Sequence, residues 1–273
     1  MINDLTNILN SCYPQFRMTP DRFKSLILGE NTHLITHQDQ GKITAFATTE
    51  NSALRLICVS PDHQRRGIGT HLLKQAEDQV KSQGFTTIYT GGVTSKFLIG
   101  ADQKTADFFR KHGFSTVGKC DEMLLKLWNF TFDRSLFRGH LTAEYGWYNG
   151  EITALHKAVA EVDESWVQYF TEDANVYAAT VNGEIASFCL VSTDVANYLT
   201  DAYGRVGMPG CVGTVPKHRS KGIAIEMIAR VTAYLKESGM DISFIYFTGV
   251  ADWYKKLDYK VFLTELFMQK QLT

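Results

Sequence analysis

Two stretches of this 273-residue chain read alike, and this repeat constrains the fold more than any other feature. Residues 54–73 read L-R-L-I-C-V-S-P-D-H-Q-R-R-G-I-G-T-H-L-L, and residues 210–229 read G-C-V-G-T-V-P-K-H-R-S-K-G-I-A-I-E-M-I-A. Each has an apolar run typical of a strand, a proline, a basic cluster, a glycine turn and then a helical pattern. Gly67 and Gly222 are 155 residues apart, which is about the length of one domain. The chain therefore reads as two copies of one unit.

Each glycine turn is followed by the pattern of an amphipathic helix, with one apolar stripe that can pack on a sheet. The stripe of the first copy consists of Ile68, Leu72, Ala76 and Val80. The stripe of the second copy consists of Ala224, Ile228, Val231 and Leu235. Short β-rich runs come after these helices, at 86–90 and 114–118 in the first copy and at 242–247 and 259–263 in the second.

Upstream of each turn the sequence indicates antiparallel strands. Val-Asn-Gly-Glu at 181–184 is a strong hairpin signal, and Gln-Gly-Lys at 40–42 is a weaker one. Each unit thus reads as helices, antiparallel strands and then β-α-β-α-β, which predicts an α/β domain with a mixed sheet. We expect the boundary near Leu127–Phe132, with one domain at 1–128 and the other at 129–273.

Composition excludes several classes of protein. Apolar residues make up 44% and charged residues 21%, which is ordinary globular usage, and the net charge of −1 argues against a nucleic-acid or membrane-surface binder. The chain opens without a basic and then apolar leader and contains no run of 18 apolar residues. Five cysteines without a C-x-x-C pair predict free thiols. We therefore expect a cytoplasmic protein without a metal site.

The residues of the two glycine turns indicate which kind of ligand the chain binds. A helix N-terminus exposes unpaired N–H groups and about half a positive charge, so it attracts phosphate. Glycine lets the backbone approach a phosphate closely, and Arg65, Arg66, Arg219 and Lys221 add positive charge. The mononucleotide P-loop motif is missing, and the dinucleotide motif fails at Leu72. A single turn of this kind is often a packing corner, but two copies favour a phosphate site.

The repeated stretch resembles a known signature. V-S-P-D-H-Q-R-R-G-I-G is similar to the acyl-CoA motif of the GNAT superfamily of N-acetyltransferases, V-x-P-x-x-[QR]-x-x-G-x-[GA], and V-P-K-H-R-S-K-G-I-A shares its core. A second family element, an aromatic residue four positions before Gly-Phe, occurs as Phe109-Arg-Lys-His-Gly-Phe114. It recurs in altered form as Tyr254-Lys-Lys-Leu-Asp-Tyr259. The resemblance implies two GNAT-like acyl-CoA N-acyltransferase domains in tandem.

The resemblance implies that acetyl-CoA is the co-substrate, with the pantetheine arm on the strand and the pyrophosphate at the turn. Val59 and Val215 match the strand residue that pairs with pantetheine, and Ile57 and Gly213 match the residue whose N–H faces the thioester carbonyl. In the first copy the cofactor residues so implied are Ile57, Cys58, Val59, Arg65, Arg66, Gly67, Ile68, Gly69 and Thr70. In the second copy they are Gly213, Thr214, Val215, Ser220, Lys221, Gly222, Ile223, Ala224 and Ile225.

The resemblance also implies the chemistry: a primary amine, here expected to be a small molecule, attacks the thioester directly, without a metal. Family members often use a tyrosine of the late helix to protonate the departing thiolate. Tyr254 matches that position in the second copy, whereas the first copy has Phe109, which has no proton to give. We therefore expect the C-terminal domain to be catalytic and the N-terminal domain to bind acetyl-CoA without turnover.

Two alternatives stay open at this point. Tyr254 can be a half-buried aromatic residue that packs under the sheet beside Trp253. The whole chain can be a catalytically degenerate CoA-binding module that acts as a sensor or interaction partner. No general base is evident, since Arg55 and Cys211 lie where some relatives carry a histidine.

Overall fold

The computed structural model describes residues 1–91, 101–137, 143–193 and 197–272. The chain forms two compact units: unit 1 comprises Met1–Asp121, Ala196–Ala202 and Leu263–Thr273, and unit 2 comprises Glu122–Val195 and Tyr203–Phe262. Both combine helices with a mixed sheet, so the predicted α/β class is confirmed.

The first copy follows the predicted order of helices and strands, and the second copy adds the unpredicted elements β6 (Ala143–Trp147) and α6 (Thr200–Tyr203) to it. The first copy contains α1 Ile2–Cys12, α2 Pro20–Ile27, β1 Thr32–Asp39, β2 Lys42–Glu50, β3 Ala53–Val59, α3 Ile68–Ser82, β4 Thr87–Thr90, α4 Gln103–Lys111 and β5 Ser115–Lys126. The second contains β6 Ala143–Trp147, α5 Ile152–Ala160, β7 Val176–Val181, β8 Glu184–Ser192, α6 Thr200–Tyr203, β9 Val206–Thr214, α7 Ile223–Glu237, β10 Ile242–Thr248, α8 Ala251–Tyr254 and β11 Lys260–Gln271.

The sheet of unit 1 positions its cavity. Strands β1, β2 and β3 are antiparallel neighbours, and β3 is parallel to β4. The pairing of β3 with β4 lies at one end, where Ala53 is opposite Tyr89 and the Tyr89 N–H donates to the Ser52 carbonyl at 2.9 Å. The carboxyl end of β3 is therefore available to line a cavity. Unit 2 repeats the arrangement, because β7, β8 and β9 are antiparallel and β9 is parallel to β10 where Val206 lies opposite Ile242.

The apolar stripes lie where the sequence places them. All four predicted residues of α3, from Ile68 to Val80, are buried against the sheet of unit 1. In α7 the residues Ile228, Val231 and Leu235 are buried in the core of unit 2, and Ala224 is half-buried. Burial of these stripes fixes the start of each helix, and thereby the turn before it.

The C-terminal strand contributes to the core of unit 1. Residues Met268–Gln271 of β11 pair antiparallel with β4, and Lys270 Nζ lies 2.6 Å from Glu77 Oε1 of α3. Met268 is fully buried in the same cluster as Leu72 and Ala76. Unit 1 thus includes a strand that the chain supplies much later, since Met268 comes 178 residues after its partner Thr90. The domain limits 1–128 and 129–273 stay a prediction.

We expect Met268→Ala to destabilise unit 1, because the substitution leaves a cavity in a packed core. The loss should be about 2–5 kcal/mol in the free energy of unfolding. Val261→Ala is the matched control in the same strand, since Val261 is exposed and should lose less than about 0.5 kcal/mol. Urea unfolding of both variants measures the difference. Equal losses in the two variants would contradict the assignment of β11 to this core.

Candidate active site

The turn of unit 1 has an unusual backbone. After β3 a short 3-10 turn, Pro61–His63, leads to Arg65 and Gly67, whose φ angles are 63° and 81°. Gly67 is the N-cap of α3, and the first α-helical hydrogen bond runs from the His71 N–H to the Gly67 carbonyl at 3.0 Å. The N–H groups of Ile68, Gly69 and Thr70, which precede His71, have no carbonyl of the helix to bind. They are therefore free to face a ligand.

Unit 2 builds the same turn. After β9 the 3-10 turn Pro216–His218 leads to Ser220 and Gly222, whose φ angles are 61° and 78°. The Glu226 N–H donates to the Gly222 carbonyl at 3.3 Å and begins α7. The two turns therefore share their 3-10 segment, both left-handed positions and a 15-residue helix. A Cβ added at Gly67 or at Gly222 would meet nothing within 4 Å, so both glycines face open space.

Unit 1 has a cavity of about 1190 Å³ that connects the turn with the strand. Among its lining residues are Arg65, Gly67, Gly69 and Thr70 of the turn, Ile57 and Val59 of β3, Cys12 and Tyr13 at the end of α1, and Thr105, Phe108 and Phe109 of α4. A single space thus contacts both the strand and the helix start, which is what an elongated ligand with a phosphate at one end requires.

The cavity of unit 2 has a volume of about 920 Å³ and a different lining. The turn contributes Ser220, Lys221, Gly222 and Ile225. The remaining described residues of its wall come from the end of β5, from the segment after β5 and from the segment after α8, and include Leu125, Asn129, Phe130, Phe137, Lys256 and Leu257. Strand β9 does not contribute to this wall in the part of the chain that the structure describes. The cavity of unit 2 therefore contacts the turn but not the strand.

The predicted cofactor residues thus divide into three groups. Ten of the eighteen line a cavity: Ile57, Val59, Arg65, Gly67, Gly69, Thr70, Ser220, Lys221, Gly222 and Ile225. The side chains of Cys58, Ile68, Val215 and Ile223 are buried, so they could contribute only backbone atoms. Arg66, Gly213, Thr214 and Ala224 do not belong to either lining. The cofactor role of all of them stays a prediction.

The correspondence between the two strands is corrected by one residue. β3 ends at Val59 and is followed by Ser60 and Pro61, whereas β9 ends at Thr214 and is followed by Val215 and Pro216. Val215 therefore takes the place of Ser60, and its side chain is 2% exposed in the core of unit 2. The predicted equivalence of Val215 with Val59 was wrong, because one residue lies between Val59 and Pro61, whereas none lies between Val215 and Pro216.

The same shift makes Val212 the residue of β9 that corresponds to Ile57 of β3. The predicted equivalence of Gly213 with Ile57 was therefore also wrong. Gly213 is instead a packing position, because an added Cβ would lie 2.3 Å from Cζ of Phe188. A ring this close explains the glycine without reference to a ligand.

Arg55 and Cys211, the residues near the expected base position, have other roles. The buried Arg55 guanidinium donates to the carbonyls of Leu26 and Ile27 at 2.7 and 2.8 Å and lies 3.1 Å from Glu50. It thus satisfies carbonyls at the end of α2, and a guanidinium does not act as a base. Burial raises the pKa of the Cys211 thiol to about 11, which keeps it protonated at neutral pH.

Tyr254 ends α8 and is almost entirely buried. Its ring lies 4.8 Å from that of Trp253 and 5.8 Å from that of Tyr259, measured between centroids. Burial raises the pKa of its phenol, with smaller contributions from Tyr259 and Cys189. The phenol is therefore protonated at neutral pH and could donate a proton but not accept one. Tyr254 is outside the described lining of the unit 2 cavity, although Lys256 and Leu257 belong to it.

Phe109 occupies the equivalent position in unit 1. Its ring lies 5.2 Å from that of Phe114, five residues later, as Tyr254 lies beside Tyr259. Unlike Tyr254, Phe109 lines its cavity.

Tyr13 is a candidate functional residue of the unit 1 cavity that the sequence analysis missed. It follows α1 and lines the cavity of unit 1 together with Ile57 and Phe109. Burial raises the pKa of its phenol well above the ordinary value, and the neighbouring Cys58, Cys12 and Asp102 add to the rise. No local motif marks Tyr13, because the packing of α1 on β2 and β3 brings it to the cavity.

Comparison with known proteins identifies the family. The sequence model described as an acetyltransferase (GNAT) domain matches residues 9–123, and a second model of the same description matches residues 143–262. The chain belongs to the GNAT acetyltransferases. It contains two GNAT acetyltransferase domains in tandem, as its sequence predicted. No curated protein sequence matches the chain.

Several solved structures share the fold. The glucosamine N-acetyltransferase region of a fungal multi-domain GH3 β-N-acetylglucosaminidase aligns with 98% of this chain at 20% identity and a TM-score of 0.78. The chain spans 36% of the length of that protein. A GCN5-related N-acetyltransferase from Sphaerobacter thermophilus aligns at 17% identity, with a TM-score of 0.71 and coverage of 98% and 92% of the two chains. A tandem GNAT protein of clavulanic acid biosynthesis aligns at 12% identity, with a TM-score of 0.66 and coverage of 100% and 95%.

Two features are missing from the described residues. These residues contain no group of three or more His, Cys, Asp or Glu side chains that could hold a metal ion. No helix within the described ranges is long and apolar enough to span a bilayer.

Proposed function

We propose that the protein transfers the acetyl group of acetyl-CoA to a primary amine, which attacks the thioester directly. The family uses acetyl-CoA as its co-substrate. The observation that supports this most is the turn that both units build, with two left-handed positions before a long helix and a glycine that faces open space.

The residues of the turn fit the pyrophosphate of CoA. In unit 1 the N–H groups of Ile68, Gly69 and Thr70 stand before the first helical hydrogen bond, where the helix dipole favours negative charge. Arg65 lines the same cavity and adds a full positive charge. In unit 2 the corresponding N–H groups belong to Ile223, Ala224 and Ile225, and Lys221 supplies the charge.

The strand supports the rest of the cofactor in unit 1. Ile57 and Val59 line the cavity between the turn and α4, where the pantetheine arm would lie. The N–H of Ile57 is the proposed donor to the thioester oxygen.

In unit 2 we propose Tyr254 as the acid that protonates the departing thiolate. The phenol stays protonated at neutral pH, so its proton is available when the C–S bond breaks, and the pKa raised by burial makes it a weaker acid than an exposed tyrosine. Turnover then resides in the C-terminal unit, and the N-terminal unit holds acetyl-CoA.

The acceptor is proposed to be the amine of a small molecule. The fungal protein of the same fold is described as a glucosamine N-acetyltransferase. An amino sugar is therefore the first acceptor to assay, followed by amino acids and polyamines.

The test is release of free CoA thiol from acetyl-CoA, followed with a thiol-reactive dye in the presence of each acceptor. We expect amine-dependent release that saturates with acceptor, together with N-acetylated product in the mass spectrum. Binding of CoA without thiol release for any class of amine would contradict transfer and would support a CoA-binding sensor instead.

A further inference from the structure

Two of the five cysteines lie side by side in unit 1. Cys12 is the last residue of α1, and Cys58 lies in β3 between Ile57 and Val59. Cys12 Sγ donates to the carbonyl of Val59, the residue that follows Cys58, at 3.3 Å, and the two thiols are close enough to shift each other's pKa. Two residues 46 positions apart in sequence are thus brought together by the packing of α1 on β3.

The two thiols differ in access. Cys12 is half-buried and lines the cavity of unit 1, whereas the side chain of Cys58 is 1% exposed. A solute that enters the cavity can therefore reach Cys12 but not Cys58. This is the arrangement of an attacking thiol with a resolving thiol behind it.

The local chemistry of the thiols agrees with these roles. The hydrogen bond with Cys58 is the largest cause of the lowered pKa of Cys12; burial acts against it, and a backbone hydrogen bond of Val59 lowers the pKa further. Burial raises the pKa of Cys58 well above its ordinary value. Because a thiolate is the reactive form of cysteine, Cys12 should react before Cys58.

Unit 2 contains an internal control. Cys211 is half-buried like Cys12, but burial raises its pKa to about 11. Cys189 is buried and interacts electrostatically with Cys211. If solvent access alone set the rate of oxidation, Cys12 and Cys211 would be oxidised equally fast. The pairing of Cys12 with Cys58 predicts instead that Cys12 is oxidised faster.

We propose that Cys12 and Cys58 form a redox modification site in the cofactor cavity, which hydrogen peroxide converts to a disulfide. In the first step the Cys12 thiolate attacks one peroxide oxygen: the S–O bond forms, the O–O bond breaks, and the leaving hydroxide takes up a proton to give water. In the second step the Cys58 sulfur attacks Cys12 sulfur. The S–S bond forms, the S–O bond breaks, and a second water leaves with the Cys58 proton. The two sulfurs lose two electrons, and peroxide gains them.

The site is linked to the proposed function by its position. Cys12 lines the same cavity as Ile57, Val59 and Gly67, so a bound CoA would cover it. This link rests on the proposed function, whereas formation of the disulfide does not. The experiment therefore has two parts.

In the first part the reduced full-length protein is treated with hydrogen peroxide, digested without reductant and analysed by mass spectrometry. We expect a Cys12–Cys58 crosslinked peptide that has lost two hydrogen atoms, and dithiothreitol should restore both thiols. Cys12→Ser should abolish the crosslink. In Cys58→Ala, Cys12 should accumulate as a sulfenic acid that dimedone traps, while Cys211→Ser should oxidise as the unmodified protein does. Thiol loss without this crosslink, or oxidation of Cys211 as fast as Cys12, would overturn the proposal.

In the second part the oxidation is repeated with desulfo-CoA, an analogue without a thiol. At ten times its dissociation constant it should slow crosslinking about tenfold, because only about a tenth of the cavities stay open. Crosslinking at an unchanged rate would leave the dithiol site standing and would contradict CoA binding in unit 1.

Discussion

Tyr254→Phe should reduce kcat about 10²-fold or more while the KM for acetyl-CoA barely moves. The substitution removes one oxygen and keeps the ring that packs beside Trp253 and Tyr259. If the phenol protonates the thiolate, the loss should fall on the chemical step, because the substitution leaves the residues of the proposed phosphate-binding turn unchanged. Steady-state kinetics with an acceptor that releases thiol measures both constants.

The pH profile provides a second readout for the same residue. Because burial raises the pKa of Tyr254, its proton should remain in place across the neutral range and well into the alkaline range. We therefore expect no alkaline fall in kcat from this group below about pH 10, the ordinary tyrosine pKa.

Phe109→Tyr is the matched control in unit 1. It places a phenol at the equivalent position of a cavity that Phe109 already lines. We expect no gain in turnover, because unit 1 is proposed to bind acetyl-CoA without transferring its acetyl group. Full kcat in Tyr254→Phe would sink the assignment and would indicate solvent as the acid or unit 1 as the reacting domain.

Gly67→Val should abolish CoA binding in unit 1, with a loss of affinity of about 10²-fold or more, since each 1.4 kcal/mol lost is a factor of ten. The glycine has a φ of 81° and faces open space, so a valine would project into the site that the phosphate requires. The left-handed φ also costs a β-branched residue about 1–3 kcal/mol.

A matched control variant separates crowding of the phosphate site from strain in the backbone. Gly41 has a φ of 76° in the hairpin between β1 and β2, and a Cβ added there also meets nothing within 4 Å. Gly41→Val should therefore cost similar stability but leave CoA affinity unchanged. Gly222→Val and the hairpin control Gly183→Val, with φ angles of 78° and 77°, form the same pair in unit 2. Unchanged affinity in Gly67→Val would show that the turn is a packing corner.

Local patterns predicted much of the fold. The stripe from Ile68 to Val80 and the glycine turn depend on residues that are close in sequence, so a periodic pattern was sufficient to place α3 and its start. The Asn-Gly hairpin signal was sufficient for the same reason, and Asn182 and Gly183 both have positive φ angles.

Features that depend on distant parts of the chain could not be predicted. The pairing of Met268 with Thr90 joins strands that no sequence pattern connects. Cys12 and Tyr13 reach the cavity only because α1 packs on β3. The one-residue shift at Val215 arose because alignment on a valine ignored where β9 ends. Proximity of groups in space, and not their order, determines such sites.

The most direct measurement is the number of CoA sites per chain, determined by titration calorimetry of the full-length protein. We predict two sites, because both units build the same turn with the same φ angles and a 15-residue helix. The tighter site should be that of unit 1, whose cavity contacts both the strand and the turn, and Gly67→Val should remove it. A chain that folds fully and binds no CoA would contradict the account, and a single site that survives Gly67→Val would contradict it for unit 1.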